Sequence, residues 1–122
     1  DFQFIADANG QRLFEAVIAK CAQWGSPDEL MFVTGATRPE LLIQARALAP
    51  DHFFLVPGVG AQGGELNAVL DAGMTRDGGL LINSSRGIIY AGKDQDAIPA
   101  ARRAAKELRE AMAAKLAARG VL

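Results

Sequence analysis

Two glycine-rich turns, each following directly on a short apolar run, constrain this fold more than any other feature of the chain. The first spans Leu55-Val56-Pro57-Gly58-Val59-Gly60-Ala61-Gln62-Gly63-Gly64, and the second Leu81-Ile82-Asn83-Ser84-Ser85-Arg86-Gly87. Continuous apolar runs this short suit strands covered on both faces. Such strands belong to a parallel sheet, whose connections cross over through helices. The turns hold small residues, which leaves backbone N–H groups accessible. Turns of that kind bind anions, and phosphate is the usual one.

The rest of the chain reads as helices set between these runs. Residues 1–10 read as a loop. From Gln11 to Trp24 apolar residues recur at helical spacing, with Leu13, Val17 and Cys21 in one row and Phe14 and Ile18 in its neighbour. Gly25-Ser26-Pro27 ends that helix. Leu30 to Val33 is a strand. Thr37 and Glu40 read as a capping box, with Pro39 in the first turn of a helix that buries Leu41, Leu42, Ala45 and Leu48 and stops at Pro50. Phe53 to Val56 is the second strand. A short helix follows with Leu66, Val69 and Leu70 inward and Gly73 as its C′ residue. Leu80 to Ile82 is the third strand. A long helix then runs from about Asp96 to Arg119, with an apolar stripe of Ile98, Ala101, Ala105, Leu108, Met112 and Leu116.

The fold class is therefore α/β, with about three parallel βα units and flanking helices. At 122 residues the chain has the size of one domain. Three strands leave two open edges, whereas a barrel takes eight strands and about 250 residues. The chain is expected to be one partial domain, 1–122, the C-terminal part of something larger; the alternative is a self-contained three-strand sandwich whose edges a partner chain covers. Two consecutive βα turns, one with an arginine, suit the phosphate grip of such a barrel.

Charge and cysteine usage narrow the function. Thirteen basic and 14 acidic residues give a net charge of −1, which offers no footprint for nucleic acid. No apolar run approaches a membrane span, and no signal-peptide pattern opens the chain. One histidine and one cysteine do not make a zinc site, so no metal is expected. Cys21 is expected to be a buried structural thiol, and a lone cysteine suits the cytoplasm.

Gly58-Val59-Gly60-Ala61-Gln62-Gly63 matches the G-x-G-x-x-G fingerprint of dinucleotide sites. That fingerprint also needs an acidic residue at the end of the next strand. Here the strand ends in Asn83-Ser84-Ser85. The phosphate reading fits better. Ser84, Ser85 and Gly87 offer donors, and Arg86 offers a bidentate fork. Against it stands the plain alternative that the glycines only permit tight turns and Arg86 pairs with a surface carboxylate.

These segments resemble the longer bacterial branch of the orotidine 5′-phosphate decarboxylases. The likeness is carried by Ala6-Asp7-Ala8-Asn9-Gly10, Thr34-Gly35-Ala36-Thr37, Pro57 to Gly64 and Asn83-Ser84-Ser85-Arg86-Gly87-Ile88, and covers nearly the whole chain. The resemblance implies a (β/α)8 barrel that converts orotidine 5′-monophosphate to uridine 5′-monophosphate and carbon dioxide, without cofactor or metal. This chain would supply the sixth to eighth strands. Arg86, with the backbone of Ser85 and Gly87, would hold the 5′-phosphate. Gln62 would lie over the phosphate and the pyrimidine edge, and Pro57, Gly58 and Gly60 would wall the pocket. The family forms cytoplasmic homodimers. Its catalytic lysine and aspartates stand on strands that this sequence does not contain, so no catalytic residue is assigned and the chain alone is expected to be inactive. Lys93-Asp94-Gln95-Asp96 imitates that cluster but falls at a helix start, where acids cap the helix. Two competing readings remain: another sugar-phosphate barrel enzyme, or a non-catalytic flavodoxin-like phosphate-binding module.

Overall fold

Three strands pair in the order in which the chain makes them. The computed structural model describes residues 2–60 and 64–121. Strands β1 (Phe32–Val33), β2 (Phe54–Pro57) and β3 (Leu80–Asn83) form one parallel sheet in the order β1-β2-β3. Helices α1 (Leu13–Cys21), α2 (Pro39–Leu48), α3 (Leu66–Gly73), α4 (Ser85–Ile89) and α5 (Ala97–Ala118) alternate with them. Short 3₁₀ turns occupy Phe2–Phe4 and Asp94–Asp96.

The register puts Phe32, Phe54 and Leu80 in one row and Val33, Leu55 and Leu81 in the next. The first row, with Val56 and Ile82, packs against Ile18, Leu42, Ala45 and Val69 to form the core. The second row is open: Val33 is 69% exposed and Leu81 45%. The strands are thus buried on one face, not on both. The reason is topological. Right-handed crossovers between strands laid down without reversal put every connecting helix on the same side. A flavodoxin-like order reverses and covers both faces, so that alternative does not describe this chain.

The helical layer follows the strand order. Helix α1 packs on α2 and α2 on α3. Asp71 on α3 then reaches α5 through Lys115 at 2.8 Å and Arg119 at 3.0 Å. At the two ends of this layer the apolar faces are rotated from their expected positions. Phe14 and Ile18 face inward on α1 while Leu13 and Val17 are exposed. On α5 Ala100 and Leu108 face inward, while Ala105 and Ile98 of the expected stripe are exposed, Ile98 by 83%. Helix α5 packs on α4 as well as reaching α3, and its outward apolar row, like that of α1, stays exposed. Cys21 is half-buried rather than enclosed.

Several helix ends differ from expectation. Arg38, not Thr37, is the N-cap of α2, and no side chain caps it; Glu40 pairs with Arg38 instead. Helix α3 is capped by Glu65, whose carboxylate accepts from the Asn67 and Ala68 amides at 3.0 and 2.7 Å. Gly73 is the last residue of α3 and not its C′ residue. A Cβ there would stand 3.0 Å from both Leu42 and Leu80, so this glycine serves close packing of α3 on α2 and β3. Asp96 occupies the N-cap of α5, but its carboxylate bonds Arg103 rather than the helix amides.

Arg46 ties these elements together below the sheet. Its Nε donates to the Gly73 carbonyl at 2.9 Å. Nη1 donates to Ala49 at 3.0 Å, Pro50 at 3.3 Å and His52 at 2.6 Å, and Nη2 donates to Gly79 at 2.9 Å. The guanidinium lies 4.0 Å from the centre of the Phe54 ring. Those carbonyls end α2, end α3 and precede β2 and β3. Burial pulls the Arg46 pKa below its ordinary value.

Arg46→Lys is expected to destabilise the full-length protein by about 2 kcal/mol or more, because a compact ammonium does not span carbonyls on four segments. Urea denaturation checks this, and an unchanged midpoint would contradict it. The pKa of Asp71 is held below the carboxylate range, first by its hydrogen bond from Lys115 and then by Arg119. A lowered folded-state pKa adds stability above about pH 5 that is lost as pH falls through the carboxylate range and below. The melting temperatures of wild type and Asp71→Asn should therefore differ at pH 7 and draw together as the pH falls below the ordinary aspartate range.

Candidate functional site

Strands β2 and β3 end side by side, with Pro57 opposite Asn83. In parallel α/β folds ligands bind beyond the carboxyl ends of the strands, so the two following turns are the place to look. Both expected turns are there. Gly58 and Gly60 have φ of +93° and +79°, which lets the backbone reverse immediately after Pro57. The Gly60 amide donates to Gly64 at 2.8 Å, and the Gly64 amide returns to Gly58 at 3.2 Å. Gly64 is enclosed: a Cβ there would meet Ala36 at 2.5 Å and the Gly58 carbonyl at 2.7 Å. The Ala36 amide donates to Pro57 at 3.1 Å, so the turn after β1 supports the first glycine turn from the other side.

The second turn is more regular than its sequence suggests. Ser85, Arg86 and Gly87 are not loop residues but the first turn of α4. Asn83 Oδ1 accepts from the Ser85 amide at 3.3 Å and from Ser85 Oγ at 2.9 Å. Among the described residues, none accepts a hydrogen bond from the amides of Arg86 and Gly87. The two turns are joined by Ser84, whose Oγ donates to the Val59 carbonyl at 2.9 Å.

A cleft of about 60 Å³ opens between the turns, lined by Pro57, Gly58, Val59, Asn83, Ser84, Ser85 and Arg86. It unites Pro57, Gly58, Ser85 and Arg86 from the expected set. Gly60 and Gly87 line an adjoining groove of about 410 Å³ that continues to Glu65, Leu66 and Leu108. Gln62 lies outside the described residues. Arg86 is exposed, and among the described residues no carboxylate stands within ion-pair distance of it. The alternative that Arg86 is spent on a surface carboxylate is therefore not what the structure shows. Asp94 and Asp96 sit at the start of α5 with exposed side chains, and Asp96 is engaged by Arg103. Among the described residues no group of three or more His, Cys, Asp or Glu side chains is placed to hold a metal ion, and no helix is long and apolar enough to cross a membrane.

Sequence reasoning missed two contributors. The sequence places Asn83 in the second turn without giving it a role, although an Asn two residues before a Ser is a turn-forming signal. The Ser84–Val59 bond joins residues 25 apart and leaves no trace in local sequence.

No family model matches the chain. Comparison with known proteins is nonetheless specific. The chain is 50% identical over 118 residues to an orotidine 5′-phosphate decarboxylase of Bacteroides fragilis, covering 97% of this chain and 43% of that protein. It is 48% identical over 122 residues to the enzyme of the same name from Parabacteroides distasonis, covering 100% of this chain and 44% of that one. Among solved structures, an OMP decarboxylase from Leishmania donovani superimposes with a TM-score of 0.80 at 40% identity, over 94% of this chain and 42% of that one. The chain thus spans less than half the length of the relatives it matches. In sequence and in fold it is similar along nearly all its length to part of an orotidine 5′-phosphate decarboxylase, and its sheet and helices match part of that barrel.

Gly64→Ala is expected to displace the first glycine turn and to lower stability by about 1–3 kcal/mol. Thermal unfolding of the intact protein checks this; an unchanged melting temperature would mean the contacts with Ala36 and Gly58 are slack.

Proposed function

We propose that this chain is the phosphate-gripping portion of an orotidine 5′-phosphate decarboxylase, which converts orotidine 5′-monophosphate to uridine 5′-monophosphate and carbon dioxide. The observation that carries this reading is the cleft in which Pro57, Gly58, Ser85 and Arg86 meet at the carboxyl ends of β2 and β3. It lies in a chain about half identical to enzymes of that name. The Arg86 guanidinium supplies a planar fork for two phosphate oxygens, and the open amides of the first turn of α4 supply further donors. Ser85 and Gly87 carry those contacts, Pro57, Gly58 and Gly60 wall the pocket, and Gln62 reaches across the ligand.

No residue of this chain is assigned to bond breaking. Loss of carbon dioxide leaves a carbanion on the ring, and the groups that stabilise and protonate it belong to the remainder of the barrel. The present residues contribute binding energy at the far end of the substrate, which orients the reacting end and is realised at the transition state. The open row Val33, Leu55 and Leu81 forms the barrel interior in this reading. The free edges of β1 and β3 pair with the other strands. A groove of about 690 Å³ beside β1, lined by Phe2, Leu13, Val17, Phe32 and Leu41 among others, receives the preceding βα unit. The complete enzyme acts without a cofactor, as a cytoplasmic homodimer.

In the full-length protein, Arg86→Ala is expected to lower kcat/KM for orotidine 5′-monophosphate by about a hundredfold or more, the worth of two charge-assisted hydrogen bonds. The phosphate-free nucleoside should be turned over as before. Equal losses on both substrates would remove Arg86 from the phosphate site. A full-length protein that stabilises with pentose phosphates but not with pyrimidine nucleotides in a thermal-shift screen would favour another sugar-phosphate barrel.

A further inference from the structure

Ser84 stands at the N-cap of α4, the position where a serine ordinarily accepts a hydrogen bond from the helix amides. Here it makes no cap bond. Its hydroxyl turns away and donates to the Val59 carbonyl at 2.9 Å. Val59 is 4% exposed and part of the core, so the turn after β3 is referenced to the packed interior rather than to solvent. The hydroxyl is held there by its surroundings. A Cβ on Gly87 would stand 2.7 Å from Ser84 Oγ, and one on Gly60 3.5 Å. Both glycines leave room for this one bond.

We infer that Ser84 is a positioning residue for phosphate-bearing substrates. Its hydroxyl fixes the distance between the Gly58–Gly60 bend and the Ser85–Gly87 turn, and by declining to cap α4 it leaves the Arg86 and Gly87 amides open to an anion. The inference rests on the phosphate-gripping role proposed above. Ser84 itself is not a contact of the phosphate: its donor is committed to Val59. Two turns locked at the correct spacing bind one phosphate without first being ordered, and preorganisation of this kind raises affinity by reducing the ordering cost on binding.

The test uses the full-length protein with uridine 5′-monophosphate and uridine as probes, measured by calorimetry. Ser84→Ala is expected to weaken the nucleotide about tenfold, the worth of one hydrogen bond, and to leave the nucleoside unchanged. In an Arg86→Ala background the same substitution should cost less than about twofold, because residues serving one interaction are not additive. Equal weakening of nucleotide and nucleoside, a fully additive double variant, or no weakening at all would overturn the inference, the first two by making Ser84 merely structural. If Arg86→Ala alone leaves nucleotide binding intact, the phosphate reading fails. If Arg86→Ala weakens binding and Ser84→Ala does not, only the role of Ser84 fails. Should Ser84→Ala not fold, Ser84→Cys replaces the hydroxyl with a weak donor and should bring the same selective loss; equal loss on both probes would again count against the inference.

Discussion

A single guanidinium holds the lower end of this fold. Arg46 is half-buried, and among the described residues no carboxylate pairs with it, which is costly unless its donors find acceptors. It finds backbone carbonyls on the segments that close α2, close α3 and open β2 and β3, and it rests on the Phe54 ring. The acceptors are dipoles, not charges, so the interaction depends on geometry more than on ionic strength. Move any of those segments and a half-buried charge loses a partner. The ends of α2 and α3 and the starts of β2 and β3 meet on that one side chain.

The upper end is built on a different principle. No buried charge organises it. Gly58, Gly60 and Gly64 allow the chain to fold back on itself through paired amides, and Ala36 and Ser84 brace the result from the neighbouring turns. The sheet therefore has a closed base and a mouth whose donors face outward. In parallel α/β folds that polarity separates residues that keep the fold from residues that meet a ligand.

Much of this was legible in the sequence. Short apolar runs followed by glycine turns were enough for a parallel sheet and for the place of the cleft, and the long amphipathic stretch fixed α5 nearly to the residue. What escaped depended on neighbours that a sequence does not display. The rows Leu13–Val17 and Ile98–Ala105 read as core because periodicity reports an apolar face and not whether anything covers it. Gly73 read as a helix stop because its close approach to Leu42 and Leu80 is a tertiary fact. Thr37 read as a cap because its spacing to Glu40 matched, yet Glu40 turned to Arg38. The cleft was readable in its parts, as glycines, serines and an arginine, while the bond that joins its halves was not.

The uncovered row of Val33, Leu55 and Leu81 has a consequence for how the protein reaches its working form. Val33 and Leu81 are exposed as they stand, and in the barrel proposed above the remaining strands would enclose them. Enclosing them would also bring the remaining strand ends up to the mouth formed by the glycine turns. On that reading, hydrophobic closure of the cylinder and completion of the pocket would be one event, and a molecule caught short of it would present an apolar slab instead of a partial site.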